Sequence, residues 1–195
     1  MKVKLIKLIL VPTVICFIIS YLLDKKFLSS TPIYLTPIFF GIILGSFNYK
    51  YYRHKIYFNQ IIQVVFISTI ISFLCLFFVM TSYLLIVEII DILIESLSIT
   101  FGKESISKLA IFFAIYLVAP LSIILTFKGI FIYPEGKMTK CLILASLIIF
   151  ILLGCLIYKE IIVDKLSLLW LPLMVFSVQL IIYQNEIFKV DKKPR

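Results

Sequence analysis

Three carboxylates set in greasy chain are the first residues whose types and spacing suggest chemistry. Glu88, Asp91 and Glu95 lie in EIIDILIESLSI, directly after the uncharged stretch 61–87. At the helical turn of 100° per residue they fall within about 60° of one another. Ile86, Ile89, Ile90, Leu93, Ile94 and Leu97 take the other side. A cluster of one sign focuses potential and would draw a cation or a basic partner. The competing reading is the polar face that any helix lying at a membrane edge requires.

Other reactive types are scarce. The one histidine, His54, sits in NYKYYRHKIYFNQ (48–60) beside Lys50, Arg53 and Lys55. Cations interleaved with Tyr and Phe make an interfacial anchor, the rings at headgroup depth and the cations reaching phosphates. Lys50, Arg53 and Lys55 are therefore expected to be lipid-headgroup anchors, and His54 a solvated member of the same loop. Cys16, Cys75, Cys141 and Cys155 lie in or at the edge of apolar segments and form no CxxC pair, so they read as packing residues. There is no HExxH, no phosphate-cradling glycine loop and no base to activate a serine or cysteine. Chemistry inside a membrane needs ionisable residues in the spans. None falls in the six apolar cores drawn below. No catalytic residue, metal site or cofactor is expected, and the chain does not read as an enzyme.

The elements that must carry these residues follow from composition. Of 195 residues, 63% are hydrophobic and 15% charged, with a mean hydropathy of +1.16. A soluble domain is about 45–50% apolar and about 25% charged, so a soluble fold would lack the polar surface to cover itself. The expected fold is all-α: one integral-membrane domain, 1–195, a polytopic transmembrane helical bundle of about six spans. These are placed at 8–23, 32–47, 61–82, 109–127, 141–158 and 166–183, with an interfacial amphipathic helix at about 84–99 after the third. The basic start of the chain resembles a signal peptide, but no small-x-small cleavage site follows the first apolar run, which reads as an uncleaved span.

Small residues mark where helices would meet. Gly41 and Gly45 form a GxxxG pair, Ser68 and Ser72 belong to a weakly polar stripe that continues to Cys75 and Ser82, and Ala110 and Ala114 repeat the spacing. In lipid, such pairs let backbones approach closely. Pro120 is expected to kink its helix.

Charge sets the threading. With both termini inside, Lys2, Lys4 and Lys7, then Lys50, Arg53 and Lys55, then Lys128, Lys137 and Lys140, and finally Lys189, Lys192, Lys193 and Arg195 face the cytoplasm. Each outside loop holds two basic residues, Lys25 and Lys26, Lys103 and Lys108, or Lys159 and Lys165. No segment dissents from the positive-inside rule. This also accounts for the net charge of +9 without nucleic acid. Lys, Ile, Phe and Tyr enrichment suggests an AT-rich bacterial genome and hence an inner, plasma-membrane location.

Three functions are open at this stage. The first is a non-enzymatic membrane protein that binds or assembles with other membrane components, whether lipids, another membrane protein or further copies of itself, as accessory, assembly or immunity proteins do. The second is a transporter or its membrane-embedded substrate-binding subunit, for which Thr36, Ser72, Ser122, Gln179 and the kinks at Pro37, Pro120 and Pro172 are the material. The third, an integral membrane enzyme, is disfavoured by the missing chemistry.

Overall fold

The computed structural model describes residues 2–27, 35–97, 103–158 and 166–188. The C-terminal basic residues, the loop at 159–165, positions 32–34 of the second expected span and 98–99 of the expected amphipathic helix lie outside them. The described chain is helical throughout except for its loops, with no strand among the described residues. Its elements are α1 (Lys2–Phe27), α2 (Leu35–Asn48), a single 3-10 turn (Tyr49–Tyr51), α3 (Gln60–Leu97), α4 (Lys103–Phe113), a π-helical segment (Ala114–Val118), α5 (Ala119–Ile130), α6 (Lys137–Tyr158) and α7 (Leu166–Ile187). Helices occupy the described parts of the stretches expected to span. Three stretches are long and apolar enough to cross a membrane, at Gln60–Ser96, Ser105–Ile130 and Lys137–Tyr158.

One expected boundary is absent. The third span and the amphipathic stretch after it are a single helix, α3, of 38 residues. The reason is local. No glycine, proline or asparagine occurs between Gln60 and Leu97, and the hydroxyls that could compete with the ladder fold back onto it instead. Thr81 donates to Phe77 O at 2.9 Å, Ser82 to Phe78 O at 2.8 Å and Ser96 to Leu93 O at 2.9 Å. Acids at helical spacing suit a continuing helix as well as a separate one, so nothing breaks the ladder at 83.

The core centres on α7. Met174, Val175, Val178 and Ile181 are fully buried, and α7 packs on α1, α6 and α2. α1 turns one face inward, through Ile9, Pro12, Cys16 and Ser20. The opposite face of α1, including Val14, Ile18 and Leu22, is exposed and apolar, as a lipid-facing helix would be.

The closest pair is α2 on α3. A Cβ at Gly41 would stand 2.4 Å from Thr69 Cα, and one at Gly45 2.6 Å from Val65 Cα. Both glycines meet backbone, which cannot yield. Between them α3 presents Val65, Ser68, Thr69 and Ser72, with Ser68 and Ser72 buried, so the small stripe of α3 and the glycine notch of α2 share one seam. Gly41→Leu and Gly45→Val should each force the pair apart and lower the midpoint of denaturant unfolding in detergent, at an overpacking cost of about 1–3 kcal/mol or more. Gly129→Ala is the matched control. Nothing lies within 4 Å of the Cβ it would gain, so it should be neutral or stabilising by up to about 1 kcal/mol.

Candidate functional site

The sequence-singled residues separate into two ends and a middle. The acidic trio lies on the last third of α3, with Glu88, Asp91 and Glu95 exposed and apolar Ile89, Ile92 and Leu93 exposed among them. No group of His, Cys, Asp and Glu that could hold a metal occurs among the described residues.

At the other end the basic segments converge. Tyr52 and Phe131 form an isolated antiparallel bridge, Arg53 N donates to Ile130 O at 2.9 Å and Ile132 N to Tyr51 O at 2.7 Å. His54 Nε2 lies 2.9 Å from Gly129 O, which makes that nitrogen the protonated donor because a carbonyl only accepts. Gln63, buried on the first turn of α3, acts as a peptide mimic: its Nε2 donates to Lys55 O at 2.8 Å and its Oε1 accepts from Tyr57 N at 2.8 Å. Asn59 caps the same helix, its Oδ1 accepting from Ile61 N and Ile62 N. The loop is thereby stapled on both sides, and it holds Lys50, Arg53 and Lys55 exposed near exposed Lys128, Lys137 and Lys140.

The end of α7 closes under this loop. The Tyr51 hydroxyl donates to Glu186, Tyr183 OH to Phe47 O at 3.0 Å, and Gln184 Nε2 to Thr139 Oγ1. Burial first, and then the hydrogen bond and charge of Glu186, push the Tyr51 phenol above its ordinary range, so it remains a donor at neutral pH. Asn48 Oδ1, Tyr133 OH and Gln184 Oε1 are buried here without a partner.

In the middle lies a cavity of about 190 Å³. α2 contributes Thr36, Pro37 and Phe40, and α3 contributes Ser72, Cys75, Leu76 and Val79. Ile115 of the π segment, Ala119 and Ile123 of α5, and Trp170 and Leu171 of α7 complete the wall. Of the polar material expected for a transport pathway, Thr36 and Ser72 reach the cavity. Ser122 instead donates to Ala119 O at 2.9 Å. Gln179 is fully buried within α7, and neither of its amide atoms has a partner.

Trp170 and the π segment are one device. Ala119 N–H reaches back five residues to Ala114 O. In that register the donor for Ile115 O would be residue 120, which is proline and has none. Trp170 Nε1 supplies the missing hydrogen bond, at 3.1 Å from Ile115 O. The kink expected at Pro120 is therefore resolved as a widened turn, whose freed carbonyl is met by the chain's single tryptophan. Gly154 accommodates the wide turn from outside: its missing Cβ would lie 2.5 Å from the Tyr116 ring. Ala114, buried, opens the widened turn itself, and Ala110, also buried, lies one turn before it. Proline at 120 was a visible signal in the sequence, but its partner fifty residues on was not.

Trp170→Phe should destabilise the chain by about 1–3 kcal/mol by leaving a half-buried carbonyl unmet. Pro120→Ala restores a donor, so the same Trp170→Phe change should cost less in that background. Unfolding midpoints of the four members of this double-mutant cycle measure the coupling; additive effects would sever Trp170 from Pro120.

In comparisons with known proteins, no family model, no curated protein and no solved structure matches this chain.

Proposed function

We propose that the chain is a non-enzymatic, multi-pass protein of the bacterial inner membrane that acts by binding another membrane protein along α3. In this reading it has six spans and cytoplasmic termini. The grouping of the loop 49–59, the loop 131–136 and the end of α7 at one basic end supports that threading.

The observation that carries the binding reading is the reach of α3. Its 38 residues extend about 57 Å, whereas a bilayer is about 40–45 Å thick including headgroups. Starting at the basic surface, an upright α3 crosses the bilayer in about 27–30 residues and emerges near Glu88. Beyond that point it exposes carboxylates and apolar side chains together, Ile92 at 61% and Leu93 at 51%. Apolar groups held out in water call for cover, and the acids select a partner with a basic outer segment. The same face continues down the helix through exposed Leu84, Phe77, Phe66 and Ile62, giving a partner's own helix a ridge to follow.

The alternative, a membrane-embedded substrate-binding part of a transporter, has the cavity in its favour. The cavity's apolar lining would suit an apolar substrate and not a polar solute.

Combined Glu88→Gln, Asp91→Asn and Glu95→Gln substitution tests the binding reading. Native membranes solubilised in mild detergent should yield a stoichiometric membrane-protein partner with the parent chain and at least tenfold less with the triple variant, at equal membrane levels of both. A parent chain that purifies alone, or a partner indifferent to the acids, would overturn it.

A further inference from the structure

The cavity behind Trp170 has no place in partner binding along α3, yet it leaves about 190 Å³ unfilled between α2, α3, the π segment, α5 and α7. Its chemistry restricts what it can hold. The Ser72 hydroxyl is committed to Ser68 O at 2.8 Å, and the Trp170 N–H is committed to Ile115 O at 3.1 Å. Phe40, Leu76, Val79, Ile123 and Leu171 offer only hydrocarbon. Water in a protein interior needs two to four polar partners, and an apolar cavity of about 150 Å³ stays dry and accepts benzene. This cavity is larger, at about 190 Å³. Thr36, exposed on the first turn of α2, is the one polar side chain on its rim whose hydroxyl is not turned inward onto a helix carbonyl.

We propose that this cavity holds an acyl chain of a membrane lipid, inserted beside Thr36 and lying against Trp170. The proposal rests on the chain's residence in a bilayer, where hydrocarbon tails are the solvent around α2 and α3. An acyl chain gains little by leaving one hydrocarbon medium for another; what favours insertion is the dispersion contact that the wall would otherwise lack. The widened turn contributes to the space. It displaces Ile115 and Ala119 from regular α-helical register, and Ala119 presents only a methyl group to the cavity. A tight α-helical turn with a larger residue there would close it. The site is therefore assembled by the same Pro120, π-segment and Trp170 device that repairs the backbone.

Trp170 is the only tryptophan, so its fluorescence reports on the cavity without labels. The full chain is reconstituted into vesicles of dioleoylphosphatidylcholine, or of the same lipid with dibrominated acyl chains, whose bromines quench tryptophan on contact. The expected result is quenching of the parent chain by more than half. Filling the cavity from either of two helices, with Ala119→Leu or Val79→Phe, should reduce that quenching at least twofold, and one folded variant suffices for the comparison. Undiminished quenching in a filled variant would mean that bromines reach Trp170 from the outer surface, and absence of quenching in the parent would mean that no lipid enters; either result overturns the proposal. Carbonate washing separates this from failure of the membrane reading itself. A chain released from vesicles by carbonate is not embedded, whereas a chain that stays embedded yet shows no contrast refutes the acyl-chain site alone.

Discussion

A chain of this composition has one overriding obligation, which is to pair every backbone N–H and C=O within itself. Water is not at hand in hydrocarbon, and each unmet group there costs several kcal/mol. The structure meets the obligation in its simplest form along α3, where 38 residues keep the ladder intact and every serine and threonine hydroxyl but that of Ser68 returns to its own helix. It meets it in a more elaborate form between α4 and α5, where Pro120 withholds a donor and two unrelated parts of the chain compensate. The π register moves the Ala119 amide onto Ala114 O, and Trp170 reaches from α7 to Ile115 O. A defect in one helix has thereby become a tie between two.

The same accounting explains why the two ends of the molecule differ in character. At the basic end, loop backbone leaves the helices, so its polar groups are met by a bridge between Tyr52 and Phe131, by the Gln63 amide and by His54. That end is consequently stapled, and its cations are displayed from a fixed loop. Towards the acidic end the described part of α3 pairs its backbone within the helix itself, and Glu88, Asp91 and Glu95 stand exposed on it. The packing seams lie between these ends. Gly41 and Gly45 bring α2 onto the backbone of α3, which is the short-range contact lipid favours where no hydrophobic force drives helices together.

Much of this was legible in residue types. Apolar runs located the three stretches long enough to cross a membrane, because a segment of about 20 apolar residues has few other options. The start of α4, at Lys103 and not 109, was missed because its first turns are polar. The glycine notch was legible because only glycine permits such approach, and a spacing of four places two glycines on one face. The end of the third helix was not legible. Glu88, Asp91 and Glu95 have the same periodicity whether the helix bends onto a surface or runs on, and the deciding fact is the absence of any residue able to break the ladder. The cavity was likewise hidden. Thr36, Pro37 and Ser72 were conspicuous as polar or kinking residues, but nothing local reveals that hydrocarbon from α5 and α7 surrounds them. Gln63 was passed over because a buried glutamine clamp depends on where a loop returns, which is a property of the fold and not of the helix that bears it.

The central claim is that α3 is one uninterrupted helix from Gln60 through its acidic residues. Distance measurement by electron–electron double resonance tests it directly, with spin labels at Ile62 and Ile92, both exposed, in a chain whose four cysteines are replaced. Thirty residues of continuous helix place the labelled backbones about 45 Å apart. A helix that turned flat at residue 83 would bring them to about 34 Å. A dominant distance near the longer value is the predicted result, and a dominant distance near the shorter one would contradict the account.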